Sequence, residues 1–386
     1  MIIDFDLVTT SKIMTDFGGY SGGTNYALEL IESLIAFDKS MIHSFQVLVA
    51  QEKEDWIKTI LPMSENVQII PVDNLLNYLF DDTDILILPQ VNGTLLGRIG
   101  RIHKINPKMK IYGTLHDKQH NISRYDYYDG YYSQHRIITN IGNRIVSALK
   151  VLAFAFVYIR NVSLLDKVFT VSNYSAQKLL GHSLKRIFIY IQTNRFEKKT
   201  RNSYVGDYLL FVGGNRPEKN LFRTLEAYCQ YIKIHPEGER LIVTGMSDDI
   251  VKLFFKNKKL DKKILGNNVE FKGYVSDAEL ADLYSECKYV LFLSKGEGYG
   301  LPILEAMSYG KTVLASRVTA IPEVGGASIK YVDPYSVESI KEGLEFFLDK
   351  ANVIKYSLNA EKKYELISKM AKLDKDLIAA EFLSVR

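Results

Sequence analysis

The sequence predicts an α/β protein made of two doubly wound domains that face each other across a cleft. Three observations predict it. The chain has 386 residues, more than a single core fills comfortably at roughly 150 residues per domain. Short apolar runs alternate with helical patterns almost throughout, as parallel βαβ units require. One polar stretch, Gln192–Asp207, interrupts the alternation, which restarts after it.

In the first half the strand candidates are Ile2–Val8, Phe45–Ala50, Val67–Pro71, Ile85–Pro89, Lys110–Leu115 and Lys167–Val171, with a helix over Asn25–Ala36 and another ending at Val162–Leu165. The region His120–Arg144 interleaves Tyr125, Tyr127, Tyr128, Tyr131 and Tyr132 with charges and lacks a clean period, so it reads as a long loop. In the second half Tyr208–Val212, Arg240–Thr244, Val269–Lys272, Tyr289–Leu293, Thr312–Ala315 and Ser328–Val332 read as strands. Helices at Leu221–Ile234, Asp277–Glu286, Pro302–Ser308 and Val337–Leu348 lie between them. The resulting division is a Rossmann-like first domain over 1–195, a linker over 196–207, a Rossmann-like second domain over 208–365, and a C-terminal helix over 366–386 that packs back on the first domain. Ligands of such sheets gather outside the carboxyl ends of the strands, so the strand-to-helix loops are where chemistry is expected.

Composition removes several classes of function. Apolar residues make up 47% and charged residues 24%, an ordinary soluble balance that argues against disorder. The net charge of +4, from 49 basic and 45 acidic residues, lacks the clustered basic excess of a nucleic-acid binder. Cys229 and Cys287 stand far apart in helical patterns, which suits buried thiols in a reducing cytoplasm rather than a disulfide framework or a metal site. The opening Met1-Ile-Ile-Asp-Phe-Asp reads as a strand rather than a signal peptide. The most apolar stretch, Val151–Ile159, is short of the ~18–20 residues that cross a bilayer. It reads as a buried helix, the alternative being a surface that rests on a membrane.

The chemistry is concentrated in four loops. Gly296-Glu-Gly-Tyr-Gly-Leu-Pro-Ile-Leu-Glu305 follows a buried strand, and Pro302 suits a helix start. Its glycines let backbone N–H groups approach a ligand, and the helix behind them is an anion site. Glu297 and Glu305 lie eight residues apart, one in the loop and one a turn into the helix, where carboxylates can bind paired sugar hydroxyls. The bland alternative for Glu305 is dipole stabilisation. In Tyr208-Leu-Leu-Phe-Val-Gly-Gly-Asn-Arg-Pro-Glu-Lys-Asn-Leu221, Arg216 and Lys219 stand before a helix start whose dipole opposes them. A bound phosphate would resolve that conflict, with Arg as a bidentate partner and Lys as a point charge. Gly213 and Gly214 precede them; the bland alternative is a solvated turn partly neutralised by Glu218. In Phe17-Gly-Gly-Tyr-Ser-Gly-Gly-Thr-Asn25, Gly22 and Gly23 with Thr24 or Asn25 as N-cap make a third anion-friendly terminus. It does not match G-x-G-x-x-G, which weakens a nicotinamide reading. Finally, Leu115-His116-Asp117 ends a strand, where His116 is either structural or a partner for a substrate hydroxyl.

Taken together these motifs resemble the GT-B retaining glycosyltransferases of family 4, most strongly from Tyr208 to Pro334 and more weakly in the first domain. The E-x7-E motif with G-[FY]-G-L-P matches Glu297 to Glu305, with Tyr299 in place of the commoner Phe, and the diphosphate clamp matches Arg216 and Lys219. Ser316–Gly326, Tyr331–Pro334 and Val168–Ser175 match further segments. The resemblance implies donor binding mainly by the second domain and acceptor binding mainly by the first. Arg216 and Lys219 would hold the diphosphate, Glu305 the ribose hydroxyls, and Tyr274 and Val275 would border the base. Glu297, with backbone N–H groups from Gly298 through Tyr299 and Gly300 to Leu301, would hold the transferred sugar. His116 would stand near that sugar, and Gly22, Gly23 and Gly214 near the diphosphate.

On this resemblance the reaction retains anomeric configuration by front-face attack, and neither metal nor cofactor is expected. Asp81-Asp-Thr-Asp84 is an acidic triplet of the kind seen in metal-dependent transferases, but with no further acidic cluster it reads as a loop feature. The expected partners are a nucleotide-diphosphate sugar and a lipid-linked saccharide acceptor at the cytoplasmic face of a bacterial membrane, in surface polysaccharide synthesis. Arg124, Arg136 and Arg144 would suit lipid phosphates. The alternatives are a soluble or protein acceptor, a non-catalytic partner subunit, and a dehydrogenase, which lacks its fingerprint.

Overall fold

The computed structural model describes residues 1–8, 22–38, 42–80, 82–91, 93–116, 162–180, 187–189, 206–213 and 216–384. The first sheet is built from β1 (Ile2–Asp6), β2 (Ser44–Val49), β3 (Val67–Pro71), β4 (Ile85–Leu88), β5 (Lys110–Leu115), β6 (Lys167–Thr170) and β7 (Ile187–Ile189). The second is built from β8 (Tyr208–Phe211), β9 (Arg240–Val243), β10 (Val269–Phe271), β11 (Tyr289–Phe292), β12 (Val313–Ser316) and β13 (Lys330–Val332). Their orders are β3-β2-β1-β4-β5-β6-β7 and β10-β9-β8-β11-β12-β13. Every pairing is parallel. In each sheet the winding reverses once, between β1 and β4 and between β8 and β11, which is where an open α/β sheet opens a crevice for ligands.

The strands read as continuous apolar runs because both faces are covered. Along β8, Leu209 and Phe211 enter the core on one face while Tyr208 and Leu210 enter the core on the other. β11 divides in the same way, with Tyr289 and Leu291 on one face and Val290 and Phe292 on the other. In the first sheet Ile85 and Ile87 of β4 face one core, and Leu86 and Leu88 the opposite one.

Helices α1 (Gly22–Phe37), α2 (Glu54–Ile60), α3 (Gly93–Ile105) and α4 (Asn173–Leu180) belong to the first sheet. The second carries α5 (Leu221–Ile234), α6 (Asp248–Lys256), α7 (Lys262–Asn268), α8 (Asp277–Glu286), α9 (Leu301–Ser308), α10 (Ile321–Gly325) and α11 (Val337–Phe346). α1 starts at Gly22, so Thr24 and Asn25 lie inside its first turn and neither is the N-cap that the sequence predicts. β7 lies beyond the sequence-predicted strands; its three residues, Ile187-Phe-Ile189, are too short a run to stand out beside Lys185 and Arg186.

The last helix, α12, runs unbroken from Lys350 to Leu383, with Asp349 accepting the Ala351 N–H at 2.8 Å as its N-cap. It is continuous across residues 365 and 366. Val353 near its start is buried in the second domain's core, whereas Ile378, Ala379, Phe382 and Leu383 are buried in the first domain's core. Phe382 stacks on Phe169 of β6 with centroids 3.6 Å apart. Lys167 ties the helix end down, reaching the Ser384 carbonyl at 2.9 Å and the Glu381 carboxylate at 3.0 Å. Lys375 reaches Glu29 of α1 at 2.8 Å.

The predicted loop 120–144, the apolar run 151–159, residues 196–205 of the predicted linker, and Asp81, Asp117, Gly214, Arg124, Arg136 and Arg144 lie outside the described residues.

Candidate active site

The topology places two of the predicted loops on either side of one crevice. The Gly213–Lys219 loop leaves the end of β8 and the Gly296–Gly300 loop leaves the end of β11, the neighbouring strands at which the second sheet reverses. Between the first loop and α5, Pro217–Lys219 form a 3-10 turn, and Asn220 closes it in the left-handed conformation at φ 63°. Asn220 is held there by its own side chain, which donates to the Leu293 and Pro334 carbonyls at 3.1 and 2.7 Å and accepts from Arg223 at 2.6 Å. In the second loop Gly300 caps α9 at φ 118°, a conformation that only glycine adopts without strain.

These turns bring Lys219 and Glu297 together. Lys219 Nζ stands 2.6 Å from Glu297 Oε1, with side chains only 6% and 16% exposed, and lies over the Phe292 ring at 5.1 Å. The Glu297 N–H donates to Thr319 Oγ1 at 2.9 Å. Thr319 is itself left-handed at φ 52°, the kind of strained, over-determined residue that gathers at functional sites. Glu305, predicted to lie a turn into the helix, is buried at 7% exposure, and the Tyr284 hydroxyl donates to its Oε2 at 2.8 Å. Arg216 is placed differently from Lys219. Its side chain is 55% exposed and pairs with Glu218 at 3.3 Å on the rim.

Tyr274 is exposed and Val275 half-buried at the turn after β10, beside the ends of β9 and β10, where the Gly245 N–H donates to the Gly273 carbonyl at 2.8 Å. Tyr299 packs its ring against the cores of both domains and so fills the gap between them. Burial, reinforced by the charges of Glu29 and Glu323, raises its phenol above the ordinary range.

From the first domain, His116 emerges at the end of β5. Its Nε2 lies 2.9 Å from the Pro89 carbonyl, which can only accept, so Nε2 carries the proton and Nδ1 the lone pair. Burial pushes this imidazole down to about 4, against the opposing effect of the hydrogen bond it donates to Pro89, and it is neutral at physiological pH. Tyr26 of α1 meets it edge-on at 4.7 Å. Gly22 and Gly23 form the first turn of α1, and a Cβ at Gly23 would lie 2.7 Å from the Gln90 side chain. A side chain here would displace the Gln90 amide, so the glycine lets this turn pack closely against the β4 loop.

Contacts between the domains converge on the same place. Ser172 Oγ donates to the Gly298 carbonyl at 2.7 Å across the cleft, and within the first domain Ser175 Oγ reaches the His116 carbonyl at 3.0 Å. Glu323 of α10 accepts the Asn173 and Tyr174 N–H groups at 2.8 and 2.5 Å, capping α4 from the other domain. Sequence reasoning did not single out Ser172, Ser175, Thr319, Glu323 or Asn220. The Ser-x-x-Ser spacing does signal a helix start, but its partners across the cleft leave no local pattern.

Charge and nucleophilicity limit what the site can do. Burial raises both thiols, Cys287 to about 12, so neither is an activated nucleophile. Asp84 accepts the Ile2 N–H at 2.8 Å, and Thr83 beside it donates to Asp4 at 2.7 Å, so these two positions of the Asp81–Asp84 stretch have local roles. Among the described residues no three His, Cys, Asp or Glu side chains are grouped as a metal site, and no helix is long and apolar enough to cross a membrane. Around the crevice stand a helix N-terminus, a glycine loop, the buried Lys219, the half-buried Glu297 and the buried Glu305. This set suits an anion flanked by hydroxyl-rich groups.

The model of the family described as glycosyl transferases group 1 matches residues 192–368. Among curated proteins, the O-antigen chain mannosyltransferase B of Escherichia coli is 30% identical over 184 residues, which cover 45% of this chain and 46% of that protein. The alignment thus spans about half of the relative's length. Among solved structures, a sucrose-phosphate synthase from Thermosynechococcus elongatus superposes with a TM-score of 0.65 at 16% identity, covering 98% of this chain and 99% of that one. Anabaena HepE, solved in complex with UDP and glucose, superposes with a TM-score of 0.65 at 14% identity over 98% and 99% of the two chains. Both structures share the GT-B fold of two parallel sheets with this chain.

Proposed function

Residues 192–368 being a glycosyl transferases group 1 domain within a chain of GT-B fold, we propose that the protein transfers a sugar from a nucleoside-diphosphate donor to a saccharide acceptor with retention of configuration. The observation that carries this reading is the Lys219–Glu297 pair at 2.6 Å, set beside the Gly300-capped start of α9. A donor's diphosphate meets Lys219 and the helix N-terminus there, while Glu297 is free to turn to the hydroxyls of the sugar. Arg216, exposed on the rim, completes the phosphate contact from outside. Glu305, deep in α9 and oriented by Tyr284, receives the ribose hydroxyls. Gly22 and Gly23 border the diphosphate, and Tyr274 and Val275 border the base.

In the step itself the bond between the sugar's anomeric carbon and the phosphate oxygen breaks and a bond to the acceptor oxygen forms on the same face. The acceptor proton passes to the departing phosphate. Positive groups aimed at that phosphate stabilise charge that develops in the transition state. His116, neutral, offers Nδ1 as an acceptor to a sugar hydroxyl and carries no proton between reactants.

The transferred sugar we assign is mannose, and the acceptor a lipid-linked saccharide of bacterial surface polysaccharide. The name of the Escherichia coli relative, O-antigen chain mannosyltransferase B, supports mannose and a surface-polysaccharide acceptor. The UDP in the HepE complex supports a nucleoside-diphosphate leaving group. Replacing Glu297 with Ala is expected to lower sugar transfer by at least ~100-fold while the chain stays folded by circular dichroism. Transfer at the native rate would overturn the assignment.

A further inference from the structure

The carbonyl of Gly298 is buried in the donor loop, and the donors that reach it come from the other domain. Ser172 Oγ lies 2.7 Å from it and Ser175 Oγ 3.2 Å. Each hydroxyl has one proton. Ser175 Oγ is closer to the His116 carbonyl, at 3.0 Å, than to Gly298. The two protons are thus best spent with Ser172 donating to Gly298 and Ser175 to His116. Ser172 Oγ in turn accepts the Ser175 N–H at 3.0 Å, which holds the pair in one turn at the start of α4. Both serines are 2% exposed, so water does not substitute for them.

A trans peptide is planar, with C=O and N–H pointing in opposite directions. Fixing the Gly298 carbonyl toward α4 fixes the Tyr299 N–H away from α4. The Gly296–Glu297 peptide, two back along the chain, is held as well, because the Glu297 N–H donates to Thr319 Oγ1 within the second domain. Glycine at 298 leaves the Gly298–Tyr299 peptide free to turn over, and a buried carbonyl without a donor is costly. The serines therefore select one of two orientations of the Gly298–Tyr299 peptide. The same turn holds the end of β5, so His116 and the donor loop, on different domains, are indexed to each other.

We infer that Ser172 and Ser175 are positioning residues for the transfer: the first domain sets the orientation of the Gly298–Tyr299 peptide and with it the backbone donors offered to the transferred sugar. The inference rests on the donor reading proposed above. It separates two kinds of affinity. Nucleoside diphosphate meets Lys219, Glu305 and the start of α9 in the second domain and Gly22 and Gly23 in the first, and none of these contacts runs through the serines. The sugar and its transfer depend on them.

Ser172→Ala, Ser175→Ala and Ser172→Thr, which keeps a hydroxyl, test this beside Glu297→Ala. Two readings are taken: affinity for UDP and GDP by calorimetry, and turnover of the corresponding nucleotide sugars by nucleotide release, with water as the acceptor of last resort. The expected result is a ~10- to 100-fold loss of turnover in the Ala variants, nucleoside-diphosphate affinity within about twofold of native, and partial recovery in Ser172→Thr. Native turnover in both Ala variants, or equal losses of turnover and of nucleoside-diphosphate affinity, overturns the inference. If Glu297→Ala also turns over normally, the donor reading itself has failed; if Glu297→Ala is inactive, only the role of the serines has.

Discussion

Because Lys219 and Glu297 neutralise each other in the crevice, removing one changes what the other can hold. Glu297→Ala leaves an unpaired ammonium beside a helix N-terminus, so nucleoside-diphosphate affinity is expected to hold or tighten while transfer is lost; a calorimetric titration that shows weaker binding would contradict this. A second residue-scale expectation concerns acid stability. Asp4 is fully buried, Thr83 donates to its Oδ2, and burial pushes its carboxyl up to about 6. Between its ordinary value and pH 6 the folded chain holds a proton that the unfolded chain has released, so this group makes stability fall as pH rises. His116, pushed down to about 4, has the opposite sign: between pH 4 and 6.5 the unfolded chain binds a proton that the folded one does not, and stability rises with pH. The two oppose each other between pH 4 and 6. In Asp4→Asn the His116 slope stands uncompensated. Denaturant unfolding is expected to show stability rising more steeply with pH than in the native chain, by up to ~1.4 kcal/mol per unit. Parallel slopes in the two proteins would contradict it.

At the scale of elements, α12 is the strap between the domains, and Phe382 is its anchor. The ring is fully buried and stacked on Phe169. Phe382→Ala is expected to cost ~3–5 kcal/mol of stability by denaturation, and a loss below ~1 kcal/mol would mean that the helix end is not docked as described. The strands around it were legible in the sequence because both faces of each sheet are buried, which turns them into apolar runs bounded by turns. β7, three residues long, was below that signal. The Gly296–Glu305 and Gly213–Lys219 loops were legible because glycines, charges and a helix start fall together in a short span. Ser172 and Ser175 were not, since their partner Gly298 stands more than a hundred residues away and the hydroxyls look like ordinary caps until the domains are placed. Arg216 and Lys219 look equivalent in sequence; only folding sends one to the rim and buries the other.

At the scale of the molecule, two sheets that each reverse their winding once meet at a common crevice, with α12, Tyr299 and the α4 turn joining them. The second domain supplies Lys219, Glu297 and Glu305, and the first supplies His116 and the serines that orient the Gly298 peptide. The central claim is that this crevice binds a nucleoside diphosphate through Lys219. Its most direct test is calorimetric titration of the native chain and of Lys219→Ala with UDP, GDP, dTDP and ADP. One nucleotide is expected to bind the native chain, to add ~2.7 kcal/mol of stability at 100 times its dissociation constant, and to bind Lys219→Ala at least ~10-fold more weakly. Failure of all four to bind, or equal binding by the two proteins, would contradict it.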